Sequence, residues 1–253
     1  MLSAMRRSLL ERVQRALSRS GWVLLRRPPA LCTDPEAHLD LSFDHVISEF
    51  LVQSERIPTF VQVGAFDGVS GDLLHRYAMK GLIRGCLIEP QADAFEQLRA
   101  NYAGVEGVQF RRAAIADRSG EATLYRVRPG TPGPNWLYQI ASFRRDVLLK
   151  HAAIVPGLED AIITESVPTI TFGDLFSELG YEPDIVVIDT EGYDFEVIKL
   201  LDVGLRQPRI ILYESKHLVP RDRDACIDLL RAAGYRLAVL AVDTVAYLPM
   251  KRS

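Results

Sequence analysis

The stretch Phe60-Val61-Gln62-Val63-Gly64-Ala65-Phe66-Asp67-Gly68 (FVQVGAFDG, residues 60–68) decides how the chain is read. A short apolar β-run breaks into a glycine turn, and Gly71 then precedes Leu73, Leu74, Tyr77 and Ala78 at helical spacing. Strand, glycine turn and helix form the usual cradle for a nucleotide. The dinucleotide fingerprint G-x-G-x-x-G needs a second glycine so that backbone can approach a pyrophosphate, and Phe66 stands at that position. A phosphate loop needs Gly-Lys-Ser or Gly-Lys-Thr, and the chain has neither. Asp67 adds an argument from charge. A carboxylate about 4 Å from a phosphate costs on the order of 4 kcal/mol at an effective dielectric near ~20, whereas it attracts a cation. A nucleoside ligand with ammonium and sulfonium groups in place of phosphates is S-adenosylmethionine. The competing reading is a glycine turn that merely reverses the chain in some other α/β protein.

Outward from this stretch, strand and helix patterns alternate, which predicts an α/β fold with a mostly parallel sheet covered by helices on both faces. A helix is expected around Phe43 to Gln53, strands at Gly85–Ile88, Val108–Ile115 and Thr123–Tyr125, and a helix from Ala92 to Tyr102. Further on, helices are expected at Phe172–Leu179, Phe195–Leu201 and Arg221–Ala233. They alternate with strands at Asp184–Ile188, Arg209–Tyr213, Leu237–Val242 and Thr244–Leu248. Between Arg128 and Val167 the periodicity weakens. Pro129, Gly130, Pro132, Gly133 and Pro134 mark an irregular loop, and an amphipathic piece follows from Ser142 to Ala153. Trp136, Tyr138, Phe143 and His151 suit a substrate-side cap better than a disordered segment.

Ligands of open α/β sheets bind beyond the carboxyl ends of the strands. That rule selects Gly64 to Gly68, Glu89, Ala113 to Asp117, Asp189 to Asp194 and Glu214 to His217. Glu89 follows Asp67 by twenty-two residues, near the spacing of about 20 at which a nucleotide-binding unit places its ribose acid. An ionised carboxylate only accepts hydrogen bonds and so suits the two donors of a vicinal diol. Otherwise Glu89 is a solvated acid complementing the dipole of the next helix. The run VVIDTEGYD (186–194) brings Asp189, Glu191 and Asp194 to one strand end, where they bind a divalent cation, orient a hydroxyl nucleophile or cap the next helix. His217, in YESKHL, has the intrinsic pKa of about 6.5 that suits proton removal near neutrality, although a lone histidine is more often structural.

Composition limits the partners. A net charge of −3 over 253 residues argues against a nucleic-acid surface. Cys32, Cys86 and Cys226 are far apart and odd in number, which fits reduced thiols in the cytoplasm and neither a disulfide framework nor a cysteine metal site. Met1 to Pro29 holds seven arginines, with Leu9, Leu10, Val13 and Leu17 at helical spacing. This basic helical extension, placed at residues 1–54, packs on the domain or makes weak contact with a membrane surface.

The series VGAFDGVSGD, LIEPQADAFEQLRANY, VPTITFGDL, DIVVIDTEGYDFEVIKLL, ILYESKHL and GYRLAVLAVDTVAYL resembles the FkbM family of S-adenosylmethionine-dependent methyltransferases over roughly residues 55 to 248. The resemblance implies a Rossmann-like class I methyltransferase fold: a seven-stranded, mostly parallel sheet with an antiparallel last strand, in a domain spanning 55–253. It implies methyl transfer usually to a hydroxyl oxygen, and the main expectation is an acceptor that is a sugar, glycolipid or polyketide-like metabolite. It sets Gly64, Ala65 and Gly68 along the methionine end of the cofactor; charge separately places Asp67 near the ammonium, because pressed against the sulfonium it would favour the ground state. Glu89 falls on the ribose, Ala113 and Ala114 near the adenine, and Asp189 and Glu191 at the reacting end. Gln62, Phe66 and Val187 depart from residues common in the family at their positions. His217 or Asp189 is the expected base and Glu191 its orienter, with no metal assigned. The alternatives are a metal-dependent O-methyltransferase using Asp189 and Glu191, and a cofactor-binding partner protein without catalysis.

Overall fold

The computed structural model describes residues 35–239 and 242–249, so the arginine-rich segment and Cys32 lie outside the described residues. Helix α1 (Pro35–Gln53) leads into strand β1 (Thr59–Val63), the single-turn helix α2 (His75–Ala78), β2 (Arg84–Ile88), α3 (Ala92–Asn101) and β3 (Val108–Arg111). There follow β4 (Ala114–Ile115), β5 (Gly120–Val127), β6 (Ala141–Ser142), α4 (Arg145–Leu149), α5 (Leu158–Ala161) and β7 (Ile162–Ile170). The chain then runs through α6 (Phe172–Leu179), β8 (Ile185–Ile188), α7 (Asp194–Leu201), β9 (Ile210–Glu214), α8 (Pro220–Ala232), β10 (Arg236–Val239) and β11 (Asp243–Tyr247).

Seven strands form one sheet in the order β10-β11-β9-β8-β1-β2-β3, parallel except for β11, which runs against both neighbours. The central strands are apolar on both faces. Val61, Val63, Val186, Ile188 and Ile211 point into one core with α6, α7 and α8. Phe60, Leu87, Ile185, Val187 and Leu212 point into the other, where Phe43, Ile47 and Phe50 of α1 are buried. Continuous apolar runs are what a parallel sheet sandwiched by helices requires. β1 pairs with β2 on one side and β8 on the other, so the order of connection reverses at β1, where such sheets open a ligand crevice.

Two sequence expectations are corrected. The strand expected over Val108–Ile115 breaks at Arg112-Ala113. Its first part stays in the main sheet, while Ala114 and Ile115 pair with Thr169 and Ile170 in a second sheet ordered β4-β7-β5-β6. The weakly periodic segment ends in β7, which matches β5 in antiparallel register from Gly120↔Thr169 to Val127↔Ile162. Thr164, Glu165, Ser166 and Pro168 hid it, because only part of one face is buried on the small cluster of Ala114, Leu124 and Val167. Arg126 joins this sheet to the domain, its guanidinium 2.7 Å from Asp93 of α3 and 2.9 Å from Glu165 of β7. No helix among the described residues is long and apolar enough to cross a membrane.

Candidate active site

Strand register sets the site. Val63 lies beside Ile88 and Ile188, and Ile188 lies beside Tyr213. The next residue of each strand therefore stands in one row along the carboxyl edge: Gly64, Glu89, Asp189 and Glu214. Gly64 has a φ of 80°, and a Cβ there would sit 1.8 Å from the Asp189 carbonyl oxygen. The amides of Gly64 and Ala65 both donate to the Ile88 carbonyl at 3.0 Å, which turns the chain off the sheet. Gly68 closes the turn against Tyr102 and Leu98, where a Cβ would meet Leu98 Cδ1 at 2.4 Å. Between them Phe66 takes a φ of 45°, costly for a bulky side chain, and its amide donates to Glu89 Oε2 at 2.9 Å.

Glu89 is buried, and its Oε1 accepts the Gln91 amide at 2.8 Å. Burial raises its pKa and the two amide donors oppose this only in part, so the carboxyl titrates at about 7. Asp67 is placed otherwise than the sequence reading expects. It accepts the amides of Val69 and Ser70, at 2.9 and 2.7 Å, and the Ser70 hydroxyl at 2.7 Å, so it closes its own loop and does not line the cleft. Partial burial works to raise its pKa, but the Ser70 and Val69 donors outweigh that and hold it below its ordinary value. The loop carboxylate that faces the cleft is Asp72, fixed by the amides of Leu74 and His75 and by the Tyr102 hydroxyl at 2.9 Å.

The cleft runs from this loop past Glu89 to Ala113, Ala114 and Phe143. The residues fit an adenosyl ligand without phosphates on two counts. Among the described residues no lysine, arginine or histidine lines the cleft, so a pyrophosphate has no cation to meet. Gln62 Oε1 and Gln91 Oε1 are buried in its wall without hydrogen-bond partners, and an orphaned acceptor of that kind costs about 1–3 kcal/mol until a ligand donor satisfies it.

Beside the cleft opens a basin of about 820 Å³. Its walls include Trp136, His151, Glu214 and His217, and it shares Asp72, Gln139, Asp189 and Glu191 with the cleft. The turn carrying Asp189 and Glu191 is shaped from beneath by Asp194. This buried carboxylate accepts the amides of Thr190 and Gly192 at 3.1 and 3.0 Å, and burial pushes its pKa up to about 7. Glu191 takes a φ of 50°, and its carbonyl accepts the Ser142 hydroxyl at 2.9 Å. Glu191 Oε2 then lies 3.1 Å from His217 Nε2, and Glu214 Oε1 lies 3.7 Å from the same nitrogen. His151 stacks edge-on to His217 at 5.6 Å and against Trp136 at 5.0 Å.

Asp189 is crowded. Enclosure by the cleft walls, then the charges of Glu191, Asp194 and Asp243, drive its pKa well up. The residue is exposed to the cavity, so the neighbouring acids are the firmer cause. Sequence reasoning brought forward Gly64, Ala65, Gly68, Glu89, Ala114, Asp189, Glu191 and His217, and all but Gly68 and His217 line the cleft, while His217 lines the basin. It gave no role to Gln62, Asp72, Gln91, Gln139 or Glu214, and His151 only a place in the cap. Of these, Glu214 carried a signal in its place at a strand end.

The FkbM methyltransferase domain model matches residues 62–237. No curated protein matches the chain. Among solved structures, an FkbM methyltransferase from Methylobacillus flagellatus KT aligns at 13% identity and a TM-score of 0.46, covering 75% of this chain and 43% of that one. A precorrin-6y C5,15-methyltransferase from Geobacter metallireducens GS-15 aligns at 13% identity and a TM-score of 0.41, covering 88% and 93%. A Pyrococcus abyssi tRNA (uracil-54, C5)-methyltransferase in complex with S-adenosyl-L-homocysteine aligns at 11% identity and a TM-score of 0.36, covering 82% and 38%. The chain thus spans less than half the length of the first and third of these, and its assignment rests on the domain match. By that match, over most of its length, the chain belongs to the FkbM methyltransferase family, and its cofactor is S-adenosylmethionine.

Proposed function

We propose that the chain transfers the methyl group of S-adenosylmethionine to a free hydroxyl oxygen of a small molecule or glycolipid, in the cytoplasm. The observation that carries this reading is the seam at which cleft and basin share Asp189 and Glu191. The cleft residues would hold the cofactor, which would supply its methyl group at this seam, and the basin residues would hold the acceptor. The sulfonium is already a good electrophile, so the protein's part is alignment and removal of one proton. Holding both reactants in line supplies roughly 7 to 11 kcal/mol of the barrier. Asp189, which borders both cavities, takes the hydroxyl proton as the carbon–oxygen bond forms and the carbon–sulfur bond breaks. Trp136, Val69 and Ile154 add apolar surface to a basin that also holds acids, which supports an amphiphilic acceptor such as a glycolipid or a polyketide-like molecule. The test is S-adenosylhomocysteine formation with methyl-labelled cofactor over a panel of hydroxylated acceptors. Label on nitrogen or carbon, or no product with any acceptor, defeats the reading.

Glu89 supplies two quantitative expectations. Replacing it by alanine removes a charged acceptor from the ribose and weakens cofactor binding by about 1 to 3 kcal/mol in calorimetry. Because its carboxyl titrates at about 7 in the free protein, lowering the pH through that value protonates the group the diol must meet. Cofactor affinity therefore rises with pH and levels off above about 7, falling by up to about tenfold per unit below it. Glu89→Gln should flatten that profile, and an affinity independent of pH in the wild type argues against the ribose role.

A further inference from the structure

We propose that Glu191, Glu214 and His217 hold one divalent cation on the acceptor side of the seam. The proposal deepens the reading of this cavity as the acceptor site and rests on it. One oxygen of each carboxylate and one ring nitrogen lie within 4.8 Å of one another. Donors each about 2.1 Å from a common ion stand roughly 3 Å apart when adjacent and about 4.2 Å apart when opposite. The separations here, 3.1 Å from Glu191 Oε2 to His217 Nε2 and 3.7 Å from Glu214 Oε1 to the same atom, fall inside that range.

A second observation points independently to a ligand. Glu214 is 6% exposed, and its Oε2 is buried without a hydrogen-bond partner among the described residues; Glu191 Oε2 likewise accepts no hydrogen bond. A buried carboxylate oxygen without a hydrogen-bond donor is costly unless a cation meets it. Lys216 reaches only Glu214 Oε1, at 3.4 Å, and its side chain is half exposed, so it can swing away. Two carboxylates balance the charge of a divalent ion, and one imidazole with two oxygens favours Mn²⁺ or Zn²⁺ over Ca²⁺. Water or the acceptor hydroxyl completes the coordination, and the ion makes that hydroxyl more acidic while Asp189 takes the proton.

The test is Mn²⁺ uptake by the full chain without acceptor, read by equilibrium dialysis and electron paramagnetic resonance, with cofactor affinity measured in parallel. One Mn²⁺ per chain is expected. Glu214→Gln and His217→Ala should each weaken uptake at least tenfold while cofactor affinity stays at the wild-type value, which also shows that the variants fold. No stoichiometric uptake at millimolar Mn²⁺, or uptake indifferent to Glu214→Gln, overturns the site. Mn²⁺ uptake does not depend on turnover. A chain that binds the ion yet methylates no hydroxyl refutes the acceptor reading alone, and one that methylates without binding the ion refutes this proposal alone.

Discussion

Replacing Gly64 by alanine should lower the melting temperature by about 10 °C and abolish cofactor binding. Two costs add at this residue. Its φ of 80° belongs to the left-handed region, where an L side chain costs about 1–2 kcal/mol. The new Cβ would also stand 1.8 Å from the Asp189 carbonyl oxygen, which is backbone, so no rotamer change relieves the collision. The two central strands must part next to the pair Val63 and Ile188. Together these effects reach about 3–5 kcal/mol, and each kilocalorie shifts the midpoint by roughly 2–4 °C in a domain of this size. Gly81→Ala separates the two costs. Gly81 has a φ of 64° but nothing within 4 Å of its would-be Cβ, so it should lose only the conformational part and keep full cofactor affinity. A Gly64→Ala variant as stable as Gly81→Ala would mean that the strand end is softer than its register implies.

The same residues show what could be read from the chain in advance. Apolar runs bounded by glycine turns made the central strands legible, because a strand buried on both faces leaves an unbroken hydrophobic signature. Strand ends then pointed to Gly64, Glu89 and Asp189 as one edge, and register does align them. The second sheet was hidden. β7 buries only part of one face and carries Pro168 opposite Glu121, so neither alternation nor composition declared it. Asp67 misled for a different reason. Periodicity and charge say that an acid is present, but not that its lone pairs are consumed by Val69 and Ser70 while Asp72 turns into the cleft. Glu214 was visible at a strand end but without a role. Its meaning depends on His217, three residues on, meeting Glu191 from a different turn, and sequence does not encode that distance.

Asp189→Asn is expected to cut turnover by about 10²- to 10⁴-fold with cofactor affinity nearly unchanged, the range of a lost general base. The substitution keeps the shape of the side chain and removes its ability to take a proton. Position favours Asp189 over His217 for this step: it borders both cavities, whereas His217 borders only the basin and turns its Nε2 toward Glu191 and Glu214. The variant should also melt at a higher temperature. Ionised Asp189 is disfavoured in the folded chain by its enclosure and by Glu191, Asp194 and Asp243, so stability falls as the pH rises from its unfolded pKa and through its higher folded one. Replacing it by an amide removes that loss, an exchange of activity for stability that strained functional sites commonly show. His217→Ala is the control. If imidazole added to the medium restores turnover there while Asp189→Asn keeps wild-type rates, the proton goes to His217 and the carboxylate serves the cofactor instead.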